Sequence, residues 1–589
     1  MKTPAARRIR HGRGARGMVP LATALVTAVS LVACTAGEVT PPQPTPTMTT
    51  AATGTSTFTF GTAADPRTLD PALANDTESY RVTQQILEGL VGVDPLTSEP
   101  TALLAESWEE QDSGRAYEFT LRQGVVFHDG RPFDAQAVCA NFDRWYTMPA
   151  AARTGAPHLP FENVFKAFSD NPELSLYEGC SATGAYTATL RLAGRITGLI
   201  PALAAPAFAM SSPVALQAGA ADTLSESREG NAVSRYGLAP VGTGPFRFTS
   251  WEPGAVALAS SPDYWGDRGE VEEVLFTTIP NPDSRARALT SGRIDGYDFV
   301  SVDSAVDLAR NGLQFLQRDP YSVLYLGMNE AFPGVDDLLF RRAVAHAIDK
   351  DALIDGRFLN GTKPARQFIP EKLGVSNETV QDYGHDLDLA RELLEESGYD
   401  GRELPFYYPR NVSRAYLPAP EKAYAELSRQ LTEAGFNIRP VPVDWSDDYV
   451  ATVQGSGERA FHLLGWSGSY QDPDNFVGAL FGGRNQEFAY DDPQLFSKIN
   501  RARGLPGGED RTEAYADISA QIANRIPAVP LAFPISALAM SARVRTYPVS
   551  PVMHEVFNRI DLADAEPLPE PSGQGDGDPA DLGSVTPSG

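Results

Sequence analysis

Three places in the sequence hold side chains of the types that do chemistry. His128-Asp129 sets an imidazole beside a carboxylate, the pairing that general acid–base catalysis uses. Asp472-Pro473-Asp474 holds two carboxylates two residues apart, and paired carboxylates are what a glycosidase needs. Gly465-Trp466-Ser467-Gly468-Ser469 comes within one residue of the nucleophile elbow Gly-x-Ser-x-Gly. Each has a plainer reading. His128 and Asp129 lead into Gly130 and read as turn residues. An Asp-Pro-Asp run is a generic turn, and the elbow lacks its last glycine. Gly242-Thr243-Gly244 is followed by Pro245 and lacks the third glycine of a nucleotide loop; His-Glu-x-x-His and Walker patterns are absent. Two cysteines beyond the leader and seven scattered histidines do not supply a zinc site. The chain is therefore expected not to be an enzyme and to carry neither cofactor nor metal.

The elements around these residues suggest binding instead. Phe461-His462-Leu463-Leu464 is an apolar run that reads as the end of a buried strand, meeting Gly465 and Trp466 and then the polar turn. A buried strand that ends in a glycine and an aromatic is a common place for a ligand. The alternative on local grounds is a core tryptophan capped by an Asx-Pro turn.

A chain of 589 residues is too long for one hydrophobic core, so two or three domains are expected. Its formal net charge is −26, and the first 33 residues carry six basic and no acidic residues, so the remainder is more acidic still. Such a surface repels nucleic acid and anionic lipid, and neither is expected as a partner. Residues 1–33 read as an export signal: Arg7, Arg8, Arg10, Arg13 and Arg16, the apolar stretch Met18–Ala33, shorter than a membrane-spanning helix, and its end in Leu31-Val32-Ala33-Cys34. That tetrapeptide matches the bacterial lipobox, making Cys34 the lipidated first residue of a chain anchored on the outer face of the cell membrane. Residues 34–56, rich in Thr and Pro, read as a tether. Cys139 and Cys180 are an even pair in an exported chain, which suggests a disulfide, with two free thiols as the alternative.

Helices are expected around Tyr80–Leu87 with Gly89 as a left-handed stop, from Asp134 as N-cap, at Ser284–Ser291, over Asp336–Lys350, over Asp386–Ser397, and over Pro420–Ala434 stopped by Gly435. Strands are expected at Thr57–Gly61, Tyr117–Leu121, Tyr186–Leu192, Val274–Ile279, Tyr321–Asn329, Asn437–Val443 and as a pair within Val529–Ala542. Strands alternating with helices argue an α/β lobe. Residues 562–589, with six acidic and no basic residues, read as a disordered tail.

Several of these segments together resemble one family. Leu69-Asp70-Pro71 with Glu88-Gly89-Leu90, the run from Leu103-Leu104-Ala105-Glu106-Ser107-Trp108 through Phe127-His128-Asp129-Gly130, Gly242–Phe246, Asp263-Tyr264-Trp265-Gly266 and Gly465–Asp472 are similar to landmarks of the extracellular solute-binding proteins, family 5. The resemblance covers roughly 57–560. It implies an α/β, class II periplasmic-binding-protein-like fold of two lobes, with an extra subdomain inserted in lobe I. The implied division is lobe I at 57–100, 236–318 and 529–561, the insertion at 101–235, and lobe II at 319–528. The crossings fall near Asp319-Pro320 and Val529-Pro530. The implied role is the substrate-binding component of an ABC importer, a monomer that captures a peptide or related solute between its lobes for permease and ATPase subunits. A sensor or adhesin on the same fold is the alternative.

The resemblance also implies site residues. The loop after Leu69-Asp70-Pro71 places backbone contacts at Asn75 and Thr77, and the Gly-Trp segment places them at Gly465 and Ser467, with Trp466 and Tyr470 beside them. Trp445 stands where the family often has a pocket aromatic. Arg410 is an anion partner or a solvated loop arginine. Oligopeptide binders of the family carry Asp in Gly-Trp-x-x-Asp-Tyr, pairing with the peptide's α-ammonium; Ser469 occupies that position here. A neutral hydroxyl does not offset the desolvation of a buried ammonium, so either the ligand lacks that ammonium or Asp472 replaces the missing carboxylate.

Overall fold

The computed structural model describes residues 56–153, 159–226, 232–376, 378–455 and 457–563. The signal, Cys34, nearly all of the tether and the tail from 564 lie outside them. Leu562 does not open the tail: Asp561-Leu562 pairs as a short strand with Val544–Thr546.

Two large sheets organise the chain. The first has seven strands, in the order Phe246–Glu252, Ala255–Ser260, Glu273–Thr278, Thr57–Thr62, Gly296–Asp298, Ser536–Met540 and Gln314–Arg318. Thr57–Thr62 runs parallel to Glu273–Thr278 with Phe58 opposite Val274 and Phe60 opposite Phe276, and all four side chains are buried in one core. The second has six strands, in the order Lys363-Pro364, Ala528–Phe533, Ser322–Met328, Phe461–Ser467, Leu404–Arg410 and Ile438–Asp444. Within it Leu404–Arg410, the helix Pro420–Ala434 and the parallel strand Ile438–Asp444 form a β-α-β unit. The helix stops at Gly435, whose φ of 108° is left-handed. Asp134, Asp337 and Asp386 each cap their helix by accepting a backbone N–H.

The chain passes between the sheets twice, and the protein is two-lobed. The first passage is Asp319-Pro320-Tyr321, between Gln314–Arg318 and Ser322–Met328. The return lies beyond Val529-Pro530. Both residues pair inside the second sheet, Val529 with Leu326 and Pro530 with Tyr325, and the chain leaves only at Pro534-Ile535. The two strands expected as one pair within Val529–Ala542 thus belong to different sheets. Pro530 misleads as a boundary because it sits beside the register shift between Leu324 and Tyr325, where a strand tolerates a missing N–H. Gly89 is a second correction. The helix Thr77–Ile86 is closed by Leu87, and Gly89 is absent from the left-handed positions. A side chain there would crowd the carbonyls of Val91 and Leu203, each within about 3.2 Å of an added Cβ, so close backbone approach explains the glycine.

A third, four-stranded antiparallel sheet, Ala105–Gln111, Ala116–Leu121, Thr187–Leu192 and Tyr177–Gly184, carries Tyr117, Phe119 and Leu121 into its core. Cys139, on the helix Ala135–Thr147, is disulfide-bonded to Cys180 on the edge strand. The bridge closes a loop with a sequence separation of 41, worth about 4 kcal/mol in the chain-entropy account. The Cys139→Ser, Cys180→Ser double variant is therefore expected to unfold at markedly lower urea, by an amount matching that loss. Equal unfolding midpoints for the variant and the parent would contradict this.

Candidate functional site

A cavity of about 250 Å³ lies between the lobes. The first lobe presents one face of the helix Thr77–Ile86: Thr77, Tyr80, Arg81 and Gln84, spaced three and four apart, all line it. Asp76 caps this helix by accepting from Ser79 N at 2.8 Å and Ser79 Oγ at 2.6 Å. Burial, and then the like charge of Glu78, push the Asp76 carboxyl above its usual range. The Tyr80 hydroxyl donates to the Ala74 carbonyl. Asn75, just before the cap, lines the cavity with them.

The second lobe presents the end of Phe461–Ser467. Gly465 and Trp466 lie within this strand rather than after it, Gly465 opposite Leu324 and Trp466 opposite Val323. Gly465 has to be glycine because the Tyr416 ring lies where a Cβ would be. Ser467 shares a hydrogen bond of 2.8 Å with Ser322. The turn that follows is pinned from below: Gly468 N donates to Tyr321 O at 2.9 Å, and Tyr321 Oη and Asn475 Nδ2 donate to Tyr470 O at 2.8 and 2.9 Å. Gly465, Trp466, Ser467, Ser469 and Tyr470 all line the cavity, as does Trp445.

Two residues expected at the site lie elsewhere. Arg410 reaches sideways along its strand to Asp444, its register partner, at 2.8 Å, and does not line the cavity. Asp472 is buried under the turn, where both of its oxygens accept from Arg511 Nη2 at 2.8 and 2.9 Å and its Oδ1 accepts from Asp474 N. It is already paired with Arg511 and does not line the cavity, so it does not stand in for the carboxylate missing at Ser469. His128 and Asp129 are turn residues: the His128 ring contacts Gly244 O, and Asp129 accepts from Ser212.

The residue that sequence reasoning missed is Arg414. It follows Arg410 by four positions, on the loop after Leu404–Arg410, and it lines the cavity. Its guanidinium is 5% exposed and lies 4.0 Å from the centre of the Trp445 ring. Nη1 donates to both oxygens of Glu78 on the opposite lobe, each at 2.6 Å. Burial, the largest single influence, works against its charge, but Glu78 together with Tyr416 and Asp76 more than offsets it, and the Arg414 pKa is raised. Its Nε and Nη2 are buried without a partner, and so is Trp466 Nε1. An arginine fork with one edge committed and one edge open can receive a carboxylate in bidentate fashion. A second pair, Arg67 with Asp448 at 3.1 Å, and a third, Lys422 with Asp303, also join the lobes, both half-exposed and of small weight.

Two α/β lobes with a cavity that both of them line are the arrangement of a hinged solute-binding protein. The chain belongs to the bacterial extracellular solute-binding proteins, family 5, whose model matches residues 99–488. It is 27% identical over 523 residues to the heme-binding protein A of Haemophilus influenzae, covering 85% of this chain and 91% of that protein. It is 28% identical over 510 residues to the glutathione-binding protein GsiB of Salmonella paratyphi A, covering 84% and 92%. Among solved structures, the periplasmic binding protein DppA of Helicobacter pylori in complex with the peptide STSA shares the fold with a TM-score of 0.76 at 24% identity, covering 86% of this chain and 98% of that one. Among the described residues, no helix is long and apolar enough to cross a membrane, and no group of three His, Cys, Asp or Glu is placed to hold a metal.

Proposed function

We propose that this chain is the lipid-anchored, extracytoplasmic substrate-binding component of an ABC importer. It captures a peptide or a closely related acidic solute between its lobes and delivers it to the permease. The observation that carries this reading is Arg414: a buried cation in the cavity wall, held by Glu78 of the facing lobe and stacked on Trp445, with two donors left without a partner. A solute whose carboxylate takes those donors, and which also touches the first lobe's Thr77–Ile86 helix across the cavity, contacts both lobes. Its binding then favours the closed form, which is what a transport receptor requires. The relative named for glutathione fits a solute of this kind. With Ser469 at the family's Asp position and Asp472 committed to Arg511, neither position offers a free carboxylate to an α-ammonium. N-acetylation of a peptide pool should therefore change calorimetric affinity by less than threefold. A loss of about thirtyfold or more, the scale of one charge-assisted hydrogen bond, would contradict it.

Anchoring rests on the lipobox. A diacyl chain contributes about 0.8 kcal/mol per buried CH₂, so Cys34→Ala should shift the protein from the salt-washed membrane fraction to the soluble one. Retention of the variant in washed membranes would refute the anchor.

A further inference from the structure

Two glutamines in the cavity wall, one on each lobe, have side-chain amides fixed in a single sense. Gln84 stands on the helix Thr77–Ile86 and is 4% exposed. Its Nε2 donates to the carbonyl oxygens of Met553 and Glu555, each at 3.3 Å. Turning this amide over would press its oxygen against two other oxygens, so the NH₂ has to face them. Gln454 stands on the helix Tyr449–Gly455 of the second lobe, and its Nε2 donates to Glu487 Oε2 at 3.2 Å. Glu487 accepts at its other oxygen from Tyr325 Oη at 2.8 Å and from His462 Nε2 at 2.9 Å. Burial holds the His462 pKa below its usual value, so the neutral ring with its proton on Nε2 is the form that donates here. A carboxylate only accepts, and this again fixes which end of the amide faces it. In both glutamines the Oε1 is left over: each is buried and has no hydrogen-bond partner, and both residues line the cavity. A buried acceptor left unmet is destabilising, and a solute can supply what it lacks.

We propose that Gln84 and Gln454 are specificity-determining residues, each accepting a hydrogen bond from an N–H group of the bound solute, one on each lobe. This rests on the peptide reading above and sharpens it. Arg414 asks for an anion, whereas the two fixed carbonyl oxygens ask for donors. A solute with only acceptors, such as a simple dicarboxylate, leaves both unmet. A solute that meets both acceptors bridges the lobes, so these contacts also weight the closed state.

The test uses the tightest-binding member of a synthetic tripeptide pool and its singly N-methylated analogues. The full mature protein and its Gln84→Met and Gln454→Met variants are titrated with each. On the parent protein, analogues at two N–H positions should bind about tenfold more weakly than the unmethylated peptide. The Gln84→Met variant should erase the penalty at one of these positions and Gln454→Met at the other. Each penalty is a ratio measured on one protein sample, so partial misfolding of a variant cancels from it. If all three proteins show the same set of penalties, the proposal is overturned while the Arg414 reading stands. If the parent protein binds no tripeptide, the peptide reading fails and takes this subsite with it.

Discussion

Arg414→Met is expected to abolish measurable binding of an acidic peptide, a loss of about two to three orders of magnitude in affinity. The change removes the open donor edge that receives the solute carboxylate, and it strands Glu78, 4% exposed, without its cation. Truncating one partner of a buried charge pair costs about 3–5 kcal/mol, so this variant should also unfold at lower denaturant. Arg414→Lys separates the two effects. A lysine ammonium can still answer Glu78, so stability should largely return, but it lacks the planar fork that holds one carboxylate on each edge. Calorimetry is expected to show at least a tenfold loss of affinity for Arg414→Lys beside near-parental unfolding. Parental affinity in that variant would refute the assignment of Arg414 to the solute.

Arg511→Met should be the most damaging substitution for the second lobe. Asp472 is buried with both oxygens on Arg511, and an added Cβ on Gly198 of the first lobe would come within 2.6 Å of Asp472 Oδ2. Without Arg511 the carboxylate is buried and unpaired beneath the turn that carries Ser469 and Tyr470, at a cost of about 3–5 kcal/mol. Urea unfolding should report that loss, and Asp472→Asn in the same chain should recover most of it, because a neutral amide has no charge to leave stranded. A loss below about 1 kcal/mol, or no recovery in the double variant, would contradict this account of Asp472.

How far the sequence carries the site depends on the kind of element each residue occupies. Gly465 and Trp466 were legible as the end of an apolar strand running into a polar turn, and Ser467 and Tyr470 only through the family resemblance; a seven-residue register with Ser322–Met328 places the first three. Helices with an aspartate cap or a glycine stop, such as Leu387–Glu396 capped by Asp386 and Pro420–Ala434 stopped by Gly435, were legible from local pattern as well. Arg414 was not, because it rides a loop whose path is set by the Arg414–Leu417 bridge and by contact with Glu78, more than 300 residues away. No local spacing distinguishes it from Arg410. Tyr80, Arg81 and Gln84 carried a usable signal, since they fall within the helix expected around Tyr80–Leu87, which in the structure starts earlier, at Thr77. Asp472 misled because nearness in sequence to Ser469 says nothing of the burial that hands it to Arg511. The return crossing was misplaced because Pro530 reads as a break, although the strand runs on to Phe533.

The central claim is that the interlobe cavity holds one acidic, peptide-like solute through Arg414. Native mass spectrometry of ligand-stripped mature protein, offered a tripeptide pool with free C-terminal carboxylates and the same pool with amidated C-termini, tests it most directly. The account predicts adducts of one peptide per chain from the free-acid pool and almost none from the amidated pool. No adduct from the free-acid pool, or equal adducts from both, would contradict it.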